Sequence, residues 1–255
     1  MDYTVILFEK KENIAVITLN RPPMNLEVEA TFTELKDALE DVSKDGNIRA
    51  VILTGSGDRA FCAGALCSPP EQLGEFTTGE LREWLYANAY ILPKLMHEMD
   101  KVVIAAINGA CIGGALLVLG ADMIIASENA FFMAGFTDMG LITEFGANYF
   151  LPRMVGVKKA REICFLNERV TAQEAERIGL VNRVVPLEKL MDTAMDIAKK
   201  VVSKAPKTIA LAKSCLNRGS LIDLETCIRM EAEAPAIAFS TEDSKEAIKA
   251  FLEKR

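Results

Sequence analysis

The run Met139-Gly140-Leu141-Ile142-Thr143-Glu144-Phe145-Gly146 places one carboxylate inside an apolar stretch punctuated by glycine. Ionising an acid in such surroundings is costly, so Glu144 either reaches solvent or is held there for acid–base chemistry. Two other stretches have the make-up of substrate-holding loops. Phe61-Cys62-Ala63-Gly64-Ala65 follows VILTGSGDRA, and Asn108-Gly109-Ala110-Cys111-Ile112-Gly113-Gly114 follows VVIAAI. Their small residues let a ligand come close to backbone N–H groups. The second loop opens a predicted helix, so the Gly114 N–H falls among the unpaired donors at a positive helix end. Two N–H groups converging on one oxygen would make an oxyanion hole. Either loop alone is better read as a tight turn with close packing.

Other chemistries are disfavoured by what the chain lacks. His97 is the single histidine, so a His-based metal site, a Ser-His-Asp triad or a Cys-His pair is hard to assemble, and a structural role is expected for it. The six cysteines form no CxxC pair, and the N-terminus MDYTVILFEKKEN has no signal-like segment; free thiols in a reducing cytoplasm are expected. A net charge of -7 without a basic run argues against a nucleic-acid partner. The uncharged run from Val102 to Ala121 has the length of a membrane span, but Asn108-Gly109 and Gly113-Gly114 divide it into two shorter buried elements.

The elements that must position these residues follow from periodicity. Val5 to Phe8 and Ile14 to Leu19 read as paired strands, Glu27 to Val42 as a helix with Val28, Phe32, Leu35 and Leu39 on one face, and Ala50 to Leu53 as a strand. The order recurs as a helix from Leu81 to Met99, a strand from Val102 to Ile107, a helix from Gly113 to Gly120 and a strand from Met123 to Ala126, before the short apolar Phe131 to Met133. Such repetition predicts an α/β core with parallel strands. The polar loop between Gly64 and Gly79 is long enough for a mobile flap. From Lys158 onward the chain reads as helical, with a brief strand at Arg183 to Val185 and a last amphipathic helix, DSKEAIKAFLEKR.

With these motifs in place, the sequence resembles the crotonase, or enoyl-CoA hydratase/isomerase, superfamily over essentially its whole length. FCAGA is similar to the family's first oxyanion loop, NGACIGGALLVLGAD to its second loop and helix, and VTAQEAERIGLVNRVVP to the segment leading to its C-terminal helices. The resemblance implies a spiral of ββα units with a C-terminal helical trimerisation region, here an acyl-CoA-binding core over residues 1–199 and helices over 200–255. It implies an acyl-CoA thioester as substrate, with CoA part of the substrate and no separate cofactor or metal. It also implies a homotrimer or dimer of trimers, in the cytoplasm, with no nucleic-acid or membrane partner.

By the same resemblance the N–H groups of Ala63 and Gly114 would hold the thioester oxygen, and Ala63, Gly64, Ala65 and Leu66 together with residues 20–26 would lie along the CoA. Leu66 departs from the family, which commonly has Asp there. The positions that match the two hydratase glutamates are Leu117 and Phe136, which cannot move a proton.

GFTDMGLITEFGANYFLPRMVG is similar to the catalytic segment of peroxisomal-type Δ3,Δ2-enoyl-CoA isomerases, which implies Glu144 as the base that takes a C2 proton and returns it at C4. A specialised hydratase, a decarboxylase or a non-catalytic acyl-CoA-binding protein are the alternatives. On the residues alone, Glu144 could instead serve a helix dipole, with Thr143 capping a helix that begins near it. Leu141, Ile142, Phe136 and Leu117 are expected to line an apolar pocket around it. Asp138 is a second acid or, preferably, a loop hydrogen-bonding residue. Cys62 and Cys111 read as small apolar fillers, and Trp84 and Tyr86 as packing residues.

Overall fold

The computed structural model describes residues 3–64 and 77–253. Its frame is a six-stranded sheet in the spatial order β1 (Ile6–Lys11), β2 (Ile14–Leu19), β3 (Ala50–Gly55), β5 (Val102–Ile107), β7 (Met123–Ser127) and β10 (Arg183–Val185). β1 and β2 form an antiparallel hairpin, and every later neighbour is parallel. Three of these strands hand the chain directly to a second sheet, made of β4 (Ala60–Cys62), β6 (Ala110–Ile112), β8 (Phe131–Met133) and β9 (Val170–Thr171). The pairs β3–β4, β5–β6 and β7–β8 are therefore successive turns of one spiral, and the expected ββα repeat is observed. The 60–62 and 110–112 strands had no period of their own in the sequence, being too short to show alternation.

Parallel strands are stable when both faces are covered, and here they are. Val51, Leu53, Val103, Ala105, Ile107, Ile124 and Ala126 face a large core that includes Phe32, Leu35 and Leu39 of α1 (Glu29–Lys44). Ile52, Ile104 and Ile125 face the opposite side, where Leu190, Ala194 and Ala198 of the helix Leu190–Val202 close over them. That helix packs on β3 and β5 and spans the 199/200 junction.

Three expected elements differ in form. The first helix begins at Glu29, because Glu27 is extended and its N–H donates to Gly64 O (3.0 Å). The Leu81–Met99 helix is interrupted: α2 (Thr78–Trp84) and α3 (Ile91–Glu98) are joined by a π-helical turn, Leu85–Ala89, closed by Tyr90 N–H to Leu85 O (2.9 Å). The Gly113–Gly120 helix is of the 3-10 type, buried along its entire length. No helix among the described residues is long and apolar enough to cross a membrane. The expected flap falls mostly on residues 65–76, outside those described.

One buried ion pair ties the C-terminal part to the core. Lys213, on the helix Pro206–Gly219, donates to Asp122 Oδ2 (2.7 Å), Met96 O (2.7 Å) and Lys101 O (2.9 Å), which uses all three ammonium hydrogens. Asp122 Oδ2 also accepts from Val103 N–H (2.7 Å). Burial works against both charges, raising the Asp122 pKa and lowering that of Lys213, so each ion depends on the other. Lys213→Met is expected to lower unfolding stability by about 3–5 kcal/mol in urea titrations, because it strands Asp122. Asp122→Asn in the same chain should recover part of the loss.

Candidate active site

The site begins with a short strap after β2. Asn25, in the left-handed region at φ 46°, receives the Arg21 N–H on Oδ1 (3.0 Å) and donates from Nδ2 to Ser56 O (2.9 Å) and Ala60 O (2.8 Å). Asn tolerates that backbone better than most residues because its short amide bonds locally. The strap is thereby laid along the first glycine loop, with Ala63 N–H donating to Met24 O (3.0 Å) and Glu27 N–H to Gly64 O (3.0 Å). The Ala63 N–H, expected from the resemblance to hold a thioester oxygen, here donates to Met24 O. Ala65 and Leu66 lie outside the described residues. Gly64 adopts φ +93°, which favours glycine.

The second loop meets the first at Gly113, whose φ of +60° also requires glycine and which lies against the Gly64 Cα. Gly114 follows in the first turn of the 3-10 helix, where no earlier carbonyl of the helix reaches its N–H. Gly114 leaves room for a side chain that sequence reasoning missed. A Cβ at this position would collide with Glu27 Oε2 and sit 2.8 Å from Glu27 Cδ, so the Glu27 carboxyl fills the place of the missing methyl.

Glu27 is 1% exposed, and neither carboxyl oxygen has a hydrogen-bond partner assigned among the described residues. The Cys62 thiol lies beside it and, as a weak donor, works against the rise in its pKa, while Cys62 Sγ also lies 3.8 Å from Gly64 O. Burial pushes the Glu27 carboxyl up to about 8, and burial together with Glu27 raises the pKa of both Cys62 and Cys111. The two cysteines are fully buried and small, as expected. An available sequence signal for Glu27 was its position: an acid between Leu26 and Val28 just ahead of an amphipathic helix breaks the apolar strap.

Glu144 lies in an irregular segment ahead of α4 (Ala147–Val155), whose N-cap is Gly146 at φ 75°. The expected cap by Thr143 is not formed. Thr143 is buried, its carbonyl accepts from Asn148 Nδ2, and the helix starts three residues after Glu144. Glu144 is thus not a first-turn helix residue. It is half-buried, and burial raises its pKa, while a hydrogen bond donated by the Tyr90 hydroxyl opposes the rise. Both the burial and the adjacent carboxylate raise the pKa of Tyr90 itself.

The next residue fixes this geometry. Phe145 has φ 54°, a strained conformation for an aromatic residue that costs about 1–3 kcal/mol and persists only where the surroundings enforce it. They do: its ring stacks on Phe32 (centroids 5.8 Å apart, 18° between planes) and meets Tyr90 edge-on (5.5 Å, 85°). Tyr90 was not singled out in the sequence, because a regular helix over 81–99 gives no reason to prefer it. The π turn just before it sets its direction, and such insertions are frequent at functional sites.

Phe136 is buried, with its ring tip 4.0 Å from where a Gly113 Cβ would be, and Leu117 is buried on the 3-10 helix. Leu141 and Ile142 instead point outward (50% and 74% exposed) and do not enclose Glu144. Asp138 Oδ2 accepts from Asn167 Nδ2 (2.6 Å), and Asn167 Oδ1 accepts the Gly135 N–H, which is the expected loop role. Trp84 packs edge-on to Phe32, whereas Tyr86 is exposed. His97 packs against Tyr149 and Phe150, with its pKa lowered by burial and by Lys213. A cleft of about 710 Å³ runs past Tyr90, Gly146, His97 and Lys213; neither Glu144 nor Gly114 lines it.

A spiral of ββα turns whose strand ends meet in two glycine loops, next to a strap and a half-buried glutamate, is a crotonase-type fold. The chain belongs to the enoyl-CoA hydratase/isomerase family, whose model matches residues 9–255. It is similar to the short-chain-enoyl-CoA hydratase of Clostridium acetobutylicum, 38% identical over 100% of this chain and 97% of that protein. The crotonyl-CoA hydratase of Syntrophomonas wolfei has the same identity and coverage. A crystal structure of the enoyl-CoA hydratase from Bacillus anthracis superimposes with a TM-score of 0.91 at 34% identity, covering 99% of this chain and 97% of that one.

Tyr90→Phe removes the donor that stabilises the Glu144 carboxylate. The carboxyl pKa should then rise further, so the acid limb of any Glu144-dependent pH–rate profile should move to higher pH, with less base available at a given pH below it. An unmoved limb would show that the Tyr90 bond does not set the protonation of this residue.

Proposed function

We propose that this chain shifts a double bond in an enoyl-CoA thioester from C3 to C2, with Glu144 as the proton-shuttling base. The observation that carries the reading is the inventory of carboxylates: the positions matching the two hydratase acids hold buried Leu117 and Phe136, while Glu144 is half-buried on Tyr90. Migration needs a group that removes a proton at C2 and returns it at C4, which one carboxylate can do. Desolvation strengthens Glu144 as a base, and the Tyr90 hydrogen bond keeps its ionised form accessible. The Gly114 N–H, free at a positive helix end, stabilises the enolate oxygen between the two proton transfers.

Hydration is the second reading, favoured by the relatives at 38% identity, which are named hydratases. Against it, addition of water requires a base for the water and an acid for the α-carbon, and Leu117 and Phe136 supply neither. Both readings pass through an enolate of a CoA thioester. The described cysteines are unpaired, in keeping with a cytoplasmic setting.

An assembly of three or six chains belongs to the same proposal. Leu221, Leu224, Ile228, Ile237 and Phe251 on the C-terminal helices are all exposed in the single chain, a larger apolar surface than a monomer usually presents. Light scattering at micromolar concentration should give a multiple of three chain masses, and a monomeric mass would contradict the assembly.

The function is tested with panels of 3-enoyl-CoA and 2-enoyl-CoA. The first panel should give conjugated 2-enoyl product, and the second should be hydrated very slowly. Fast hydroxyacyl product from the second panel, with no turnover of the first, would replace isomerisation by hydration. Glu144→Gln should retain CoA-thioester binding but lower turnover by several orders of magnitude, since an amide cannot accept the proton. Near-normal turnover would remove Glu144 from the chemistry.

A further inference from the structure

Glu27 has no part in the scheme above, yet it reaches the centre of the site. Its carboxyl lies against Gly114, the residue that offers the oxyanion N–H, and is near enough to the Cys62 and Cys111 thiols of the two glycine loops to raise the pKa of both. Those thiols are the titratable groups facing it; no charged side chain among the described residues acts on its protonation. Its backbone is fixed to the first loop by the Glu27 N–H to Gly64 O bond, and the Ala63 N–H of that loop is committed to Met24.

A fully buried acid with no stronger donor than the neighbouring Cys62 thiol is among the more expensive arrangements a fold can hold, and an apolar residue would fill the same space without that cost. Retaining Glu27 makes sense where something else supplies the partner. Gly114 is likewise small for a reason, since any side chain there would collide with the carboxyl.

We propose that Glu27 is a further donor of the oxyanion site, giving a carboxyl O–H to the thioester oxygen beside the Gly114 N–H. The inference rests on the acyl-CoA reading but not on the choice between isomerisation and hydration, because both build negative charge on the same oxygen. No bond is made or broken by Glu27. It holds a hydrogen bond that strengthens as the carbonyl becomes an enolate, which is how a preorganised donor accelerates such a step. A neutral acid can do this at neutral pH because burial keeps its proton in place.

The sign of the pH dependence follows. The folded Glu27 pKa of about 8 lies above the ordinary glutamate value of 4.5, so the folded chain holds a proton that the unfolded chain releases between these values. Its contribution to stability is complete below pH 4.5 and falls as pH rises to about 8. The O–H donor disappears over the upper part of the same range, so wild-type turnover should show an alkaline limb near pH 8.

Three measurements test the assignment. Glu27→Gln keeps a neutral donor and should slow turnover by about tenfold while abolishing the alkaline limb. Glu27→Leu keeps the packing without the donor and should cost about 10²–10³ in kcat, with circular dichroism confirming that it is folded. Infrared difference spectra need no turnover: the wild-type protein at pH 7 should show a protonated carboxylic C=O band that is absent in Glu27→Gln and moves to lower frequency when butyryl-CoA is added. Full kcat in folded Glu27→Leu, an unchanged alkaline limb in Glu27→Gln, or butyryl-CoA that binds without moving the band would each overturn the role of Glu27 and leave the acyl-CoA reading standing. A wild-type protein that neither binds butyryl-CoA nor turns over either enoyl-CoA panel would overturn both.

Discussion

A parallel sheet buried on both faces can be extended only by carrying the chain over one face and back, and the rest of this molecule depends on how that is done. After β3, β5 and β7 the chain does not turn at once into a helix but adds a short strand to a second sheet. The short strands β4 and β6 pair in parallel, with Cys62 opposite Cys111. Two loops far apart in sequence therefore leave the second sheet side by side. Gly64 and Gly113 touch as a direct result. The site belongs to the meeting of successive turns, not to any one segment.

Around that meeting point the protein handles two carboxyls in different ways. Glu144 is partly solvated and has a hydroxyl donor in Tyr90, so its charged form remains accessible despite burial. Glu27 is buried with only the weak Cys62 thiol beside it, so its neutral form persists to about pH 8. Environments that drive two acids apart in this manner are how one site can keep a base and an acid at the same pH. The contrast with Lys213 and Asp122 is instructive. There, a buried charge is answered by an opposite charge and by backbone groups, and the pair joins a helix to the core without chemistry.

The aromatic cluster couples these parts mechanically. Phe32 on the first helix stacks on Phe145, which forces an unfavourable backbone angle beside Glu144, and Trp84 and Tyr90 close on the same rings from the broken helix. The first helix is in turn preceded by the strap that carries Glu27. Strain at Phe145 is thus held by packing that also fixes the other carboxyl's segment.

Much of this was determined by the sequence alone. β2, β5 and β10 were legible residue for residue, and the C-terminal part as broadly helical, because alternation, β-branching and amphipathic spacing are local properties of the chain. Glu144 stood out as an acid in apolar company, and the two glycine loops stood out by composition. Other features were decided only by tertiary structure. Glu27 looked like the first residue of a helix until its pairing with Gly64 drew it into an extended segment. Tyr90 looked like one helical residue among many until a π turn aimed it at Glu144. Ala63 looked like a free donor until the strap claimed its N–H. In each case the outcome depends on a partner distant in the chain, such as Glu27 against Gly114 or Tyr90 against Glu144. Local propensity carries no information about which groups packing will bring within hydrogen-bonding distance.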